Sequence, residues 1–233
     1  MLTMANATVV LVHGAWHGDW CWDLVVKRLG AAGVDVATVD NPSVQSSSAS
    51  LQDDADNVRA LLDEIDGPVV LVGHSYGGGV ISDAGTHDAV EHLVYLTAFA
   101  LDEGESAMQN ALEGGGSSAL DGALRVDGDV ITLEEDGAIA AFYHDCEPGL
   151  ARDAVSKLRP QSLAGLGGVT RHAAWREKPA TYVVCTDDRG LPVALQRSAA
   201  ARIGNVVEIH ASHSPFLSRP DDVASLLVQL SAR

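Results

Sequence analysis

The sequence predicts an α/β fold, a mostly parallel sheet flanked by helices and interrupted by one insertion at about residues 101–168. Two observations carry this expectation: short runs rich in β-branched residues recur along the chain, and apolar residues repeat at helical spacing between them. Thr8–Val12 is the first run, too short for a helix and too uniformly apolar for a half-exposed strand, so it reads as a buried parallel strand. Residues 34–39 form the second. Leu51, Ala55, Val58, Leu61, Leu62 and Ile65 then place apolar groups on one helical face after a serine-rich loop at 43–50. Residues 69–72 and 93–96 supply two more strands. From 101 to 168 the pattern changes: Gly114, Gly115 and Gly116, further turns near Asp121 and Asp127, and no steady period mark a lid-like insertion. The alternation resumes with a strand at 181–184, a helix at 192–202, a strand at 206–209 and a helix at 221–230. The insertion thus interrupts one sheet, and the expected organisation is a single domain over 1–233, with core segments 1–100 and 169–233.

Composition narrows the function classes. The 233 residues are 46% hydrophobic and 20% charged, enough for one substantial core. A formal net charge of -17 repels phosphate backbones and anionic headgroups, so neither nucleic acid nor a membrane surface is an expected partner. No apolar run reaches about 18 residues, and Met1 to Ala7 contains no basic residue ahead of an apolar stretch; a cytoplasmic location is the default expectation. Cys21, Cys146 and Cys185, three thiols at wide spacing, fit neither a disulfide framework nor a CxxC metal site.

Chemistry concentrates at three places. Residues 69–77 read as a buried strand followed at once by Gly-x-Ser-x-Gly, with Gly73, Ser75 and Gly77 at the motif positions, a nucleophile elbow in its expected context. A serine hydroxyl is a poor nucleophile at neutral pH and needs a base, which itself needs an orienting carboxylate. In such folds these follow in the order acid, then histidine, beyond later strands. His213 fits the base, with His210 as its substitute. Asp188 fits the acid, with Asp187 an adjacent rival that spacing alone does not separate. The developing oxyanion needs two backbone N–H groups, those of Tyr76 after the nucleophile and Ala15 in the loop His13-Gly-Ala-Trp-His-Gly18 after the first strand. Gly14, His17, Phe142 and Tyr143 are candidate pocket residues; His74 reads as structural, and Trp16, Trp20 and Trp22 as packing around the loop. His13 and His17 lie in a glycine-bracketed loop without a nearby third ligand, so no metal and no cofactor is expected.

The segments His13-Gly-Ala-Trp-His-Gly18, Gly73-His-Ser-Tyr-Gly77, Val183-Val-Cys-Thr-Asp-Asp188 and Ser212-His-Ser-Pro215 resemble the α/β-hydrolase superfamily, specifically the plant methyl-ester esterase and hydroxynitrile lyase group and its bacterial esterase relatives. The resemblance implies an α/β-hydrolase fold with Ser75 as nucleophile, Asp188 rather than Asp187 as acid, His213 as base, and Ala15 and Tyr76 as oxyanion donors. The lyase branch carries lysine after the catalytic histidine and threonine after the first-loop histidine, where this chain has Ser214 and Gly14; both departures point to esterase chemistry. The expected function is therefore a serine carboxylesterase acting on small carboxylic esters, aromatic or methyl esters among them, by way of an acyl-enzyme. Alternatives are lactone or C–C cleavage, cofactor-free oxygenation, or a small-molecule receptor with little turnover. A small-molecule ester is the expected partner, with a homodimer as a compatible assembly.

Overall fold

A computed structural model describes residues 6–114 and 117–232, so parts of the N-terminal stretch and of the glycine triplet noted above lie outside the described residues. In chain order the elements are β1 (Thr8–Val12), α1 (Asp23–Ala31), β2 (Val36–Val39), α2 (Leu51–Asp63), β3 (Val69–His74), α3 (Gly77–Ala84) and β4 (Val90–Leu96). The segment that follows holds α4 (Ala107–Glu113), β5 (Leu124–Asp127), β6 (Val130–Leu133), α5 (Glu135–Phe142), α6 (Pro148–Ser156), β7 (Gln161–Ser162) and α7 (Leu163–Gly167). The chain ends with β8 (Ala180–Cys185), α8 (Val193–Ile203), β9 (Val206–Ile209), α9 (Pro215–Ser218) and α10 (Pro220–Ser231).

Six strands form one parallel sheet in the order β2-β1-β3-β4-β8-β9. Its centre is apolar on both faces: all six residues of β3 are buried, and each buried Val or Leu contributes about 1.5–3 kcal/mol of transfer free energy. α2 begins where the serine-rich loop ends because Ser50 and Asp53 cap each other: the Asp53 N–H donates to Ser50 Oγ at 3.3 Å and the Ser50 N–H to Asp53 Oδ2 at 2.8 Å. Because every strand runs the same way, the loops after β1, β3, β4, β8 and β9 all leave one edge of the sheet, where sites in open α/β folds are built. β4 starts three residues earlier than its apolar run, since the exposed Glu91 and half-buried His92 interrupt the hydrophobic pattern but not the pairing with β3.

The inserted segment carries its own three-stranded antiparallel sheet, β5-β6-β7, surrounded by four short helices. Its Ala138, Phe142 and Tyr143 are buried in the same apolar cluster as the main sheet. Among the described residues no helix is long and apolar enough to cross a membrane.

Candidate active site

The turn between β3 and α3 holds Ser75 at φ 51°, in the left-handed region, where its side chain stands clear of the sheet. Only glycine fits on either side. A Cβ on Gly73 would lie 2.5 Å from the Gly77 carbonyl oxygen, and one on Gly77 would lie 2.7 Å from the carbonyl oxygens of Val12 and His13.

His213, on the loop between β9 and α9, faces the same cavity as Ser75 and places Nδ1 2.7 Å from Asp188 Oδ2. Asp188 follows β8 and is enclosed by donors. Its Oδ1 accepts the N–H groups of Gly190 at 2.7 Å and Leu191 at 2.9 Å; its Oδ2 accepts the Thr97 hydroxyl and Gln196 Nε2, the latter at 2.9 Å, besides His213. An Asp carboxylate only accepts, so His213 Nδ1 carries the proton and Nε2 is left free to act as base. Asp187 turns away, its carboxylate 3.2 Å from His144 Nε2, and His210 bonds Thr186 on the surface. Ser75 Oγ and His213 share the cavity without a hydrogen bond between them, a contact that commonly tightens once substrate is bound.

Ala15 and Tyr76 also line this cavity, and among the described residues neither backbone N–H has a protein acceptor. Tyr76 is anchored from behind, its hydroxyl donating to buried Asp54 Oδ2 at 2.7 Å, while Asp54 Oδ1 accepts the Ser43 N–H at 2.8 Å. Burial raises the Asp54 carboxyl above its usual range.

The cavity, about 250 Å³, is walled by Phe99, Met108, Leu120, Ile131, Phe142 and Leu191 among others. Of the four expected pocket residues only Phe142 lines it. Gly14 packs under the elbow, where an added Cβ would sit 2.7 Å from His74 Nδ1 and 2.8 Å from Ser75 Cβ. His17 and Tyr143 are buried behind the wall and bonded to each other at 2.8 Å. Those three expectations are corrected for a common reason: proximity in sequence to Ala15 or to Phe142 does not fix which side of the wall a residue takes. Trp16, read as packing, is a wall of the cavity as well, with its indole N–H on the Ile131 carbonyl at 2.9 Å; Trp22 is fully buried against Phe216.

Both ring nitrogens of His13 and of His17 are engaged by protein groups: Gly14 O and the Asn41 N–H for His13, Ala15 O and the Tyr143 hydroxyl for His17. Among the described residues no three His, Cys, Asp or Glu side chains are grouped to hold a metal ion. Sequence reasoning missed Thr97, Gln196 and Asp54. Asp54 alone carried a signal, since it falls on the apolar stripe of Leu51, Ala55, Val58 and Leu62, and a carboxylate there demands a buried partner.

Two buried histidines make the fold acid-sensitive. Desolvation lowers His17 to about 3 and His74 well below its ordinary value; His74 donates Nε2–H to the His213 carbonyl at 2.8 Å and leaves Nδ1 without a partner. Below pH about 6.5 the unfolded chain protonates both while the fold keeps them neutral. The unfolded state then binds more protons, so stability falls as pH drops from about 6.5 towards 3, by up to about 1.4 kcal/mol per histidine per pH unit. Urea unfolding at pH 7.5, 6.5 and 5.5 should show little change over the first step and a clear loss over the second; a flat profile contradicts the burial of these rings as neutral species.

The family model described as "Alpha/beta hydrolase family" matches residues 9–226. The chain is 32% identical to the alpha/beta hydrolase nvfD of Aspergillus novofumigatus, with 96% of each chain covered. It is 28% identical to methylesterase 7 of Arabidopsis thaliana, with 95% of each covered. Among solved structures, a pyrethroid hydrolase from Sphingobium faniae JZ-2 superposes with a TM-score of 0.84 at 26% identity, covering 97% of each chain. The sheet order, the elbow and a match spanning nearly every element agree: the chain belongs to the alpha/beta hydrolase family.

Proposed function

We propose that this protein is a serine carboxylesterase for small, apolar, uncharged esters. The observation that carries the reading is the convergence on one apolar cavity of Ser75 at its elbow, His213 held by Asp188 at 2.7 Å, and the two unpartnered amides of Ala15 and Tyr76. Ser75 Oγ attacks the ester carbonyl while His213 Nε2 takes its proton; the Ala15 and Tyr76 N–H groups receive the negative charge that forms on the carbonyl oxygen. Collapse expels the alcohol, protonated by His213, and leaves Ser75 acylated. Water, deprotonated by the same nitrogen, then attacks the acyl carbonyl and releases the acid. The neighbouring names agree with ester hydrolysis in general: relatives of this chain are called methylesterase and pyrethroid hydrolase. Ser214, where the lyase branch carries lysine, has a buried hydroxyl without a partner, and among the described residues no Lys or Arg lines the cavity to stabilise a departing cyanide.

The same wall sets the substrate class. Besides Ser75 and His213, the polar side chains on it are Ser118 and Asp121, with Tyr76 and Trp16, whose O–H and N–H are already given to Asp54 and Ile131; in a chain of net charge -17 a carboxylate on the acyl group would enter unpaired and meet like charge. p-Nitrophenyl butyrate is expected to exceed p-nitrophenyl hemisuccinate in kcat/KM by at least about 10-fold, roughly 1.4 kcal/mol. Equal rates for the two esters would refute the substrate class, and absence of turnover on every ester in a chain-length series would refute the esterase reading itself.

A further inference from the structure

The loop that presents the Ala15 amide is tied down by the inserted segment. The Arg159 N–H donates to Trp16 O at 2.8 Å, Arg159 Nη2 to His17 O at 3.0 Å, and the Trp16 N–H reaches Gln161 Oε1 at 3.4 Å. Arg159 is itself held by Asp40, its Nη1 2.9 Å from Asp40 Oδ2. At the centre is His17, with Nδ1 2.8 Å from Ala15 O and Nε2 2.8 Å from the hydroxyl of Tyr143, at the C-terminal end of α5.

The chemistry of the partners fixes the arrangement. A carbonyl oxygen can only accept, so Nδ1 carries the proton, and Nε2 must accept from the Tyr143 hydroxyl. Both side chains are buried and neither lines the cavity, so substrate contact does not explain them. Ala15 O belongs to the peptide joining Ala15 to Trp16, and Trp16 has φ 63°, a conformation that costs a non-glycine residue of order 1 kcal/mol and persists only where its surroundings impose it. The bond from His17 to Ala15 O holds that peptide plane, and with it the backbone of Ala15, a residue of the cavity wall whose N–H has no protein acceptor among the described residues.

We propose that His17 and Tyr143 are positioning residues for the oxyanion hole: Tyr143, on the inserted segment, fixes the His17 ring and tautomer, and His17 holds the Ala15 carbonyl so that the Ala15 amide stays aimed at the reacting oxygen. The inference rests on the esterase reading. It makes the inserted segment part of the transition-state machinery as well as a cover, so loosening Tyr143 lowers kcat while leaving substrate binding in the Phe142-walled cavity nearly intact.

The test is kcat and KM for p-nitrophenyl acetate, together with the inhibition constant of an aryl trifluoromethyl ketone, whose serine adduct places an oxyanion in the hole. Four proteins are compared: wild type, Tyr143→Phe, His17→Leu and His17→Asn. Tyr143→Phe is expected to lower kcat about 10-fold with KM within about 2-fold, and His17→Leu to lower it about 100-fold, with ketone affinity falling in parallel. His17→Asn, whose side-chain N–H can occupy the place of Nδ1–H, is expected to recover most of what His17→Leu loses. Tyr143→Phe, which removes one oxygen, carries the test if a His17 variant does not fold. Folded Tyr143→Phe with wild-type kcat and ketone affinity overturns the proposal while leaving an active wild type as an esterase; a wild type without ester turnover overturns both.

Discussion

Ser75→Ala is expected to lower kcat for p-nitrophenyl butyrate by at least about 10⁴-fold, with His213→Ala comparable and the double variant no worse than the stronger single one. Ser75 is the hydroxyl that the elbow places at the cavity, and among the described residues His213 is the histidine that lines it, with Nε2 free to take the proton because Nδ1 is committed to Asp188 at 2.7 Å. Removing either ends covalent catalysis, and what remains is the contribution of the Ala15 and Tyr76 amides and of binding, which is why the losses do not add. Ser75→Ala deletes a single oxygen at φ 51°, so its thermal unfolding should match the wild type. Steady-state kinetics beside a thermal melt checks both halves. A folded Ser75→Ala with wild-type turnover would move the chemistry to another residue.

The second large effect separates adjacent carboxylates. Asp188→Asn is expected to reduce kcat about 10⁴-fold and Asp187→Asn by less than about 3-fold. Asp188 accepts from five donors, two on Oδ1 and three on Oδ2. An asparagine amide must turn its NH₂ towards one of these sets. Facing Gly190 and Leu191, it sets donor against donor in a buried turn; facing His213, it pushes the imidazole proton onto Nε2, the tautomer that cannot accept from Ser75. Asp187 is half exposed, and its partner His144 does not line the cavity. Parallel kinetics on the two variants decides the assignment, and equal losses would contradict it.

How legible these features are in the sequence depends on whether local patterning encodes them. The strands Thr8–Val12 and 69–72 are readable because both faces are buried and the residues are uniformly β-branched or apolar. The elbow is readable because its glycines are demanded by backbone collisions rather than by taste in packing. The inserted segment is not. Its strands have two to four residues and its helices five to nine, lengths at which periodicity is invisible and tertiary contacts decide the conformation.

The pocket was the least legible part. Phe142 and Tyr143 are neighbours at the end of α5, yet one faces the cavity and the other His17, and no spacing rule distinguishes them. The shell around Asp188 was equally hidden. Thr97 comes from the end of β4 and Gln196 from α8, 91 and 8 residues away in sequence, and only the folded sheet edge brings them to one carboxylate. Resemblance to a family names the nucleophile, acid and base; it says little of what holds them.

The central claim is that Ser75 becomes acylated. The most direct measurement is to quench the protein in acid during turnover of p-nitrophenyl butyrate, read the intact mass, and map any added acyl group by peptide fragmentation. A butyryl adduct on Ser75 in wild type, absent in Ser75→Ala and accumulating in step with the burst of p-nitrophenol, is the result expected. Turnover with an adduct on another residue, or a fluorophosphonate probe that labels elsewhere while Ser75 stays unmodified, would contradict it.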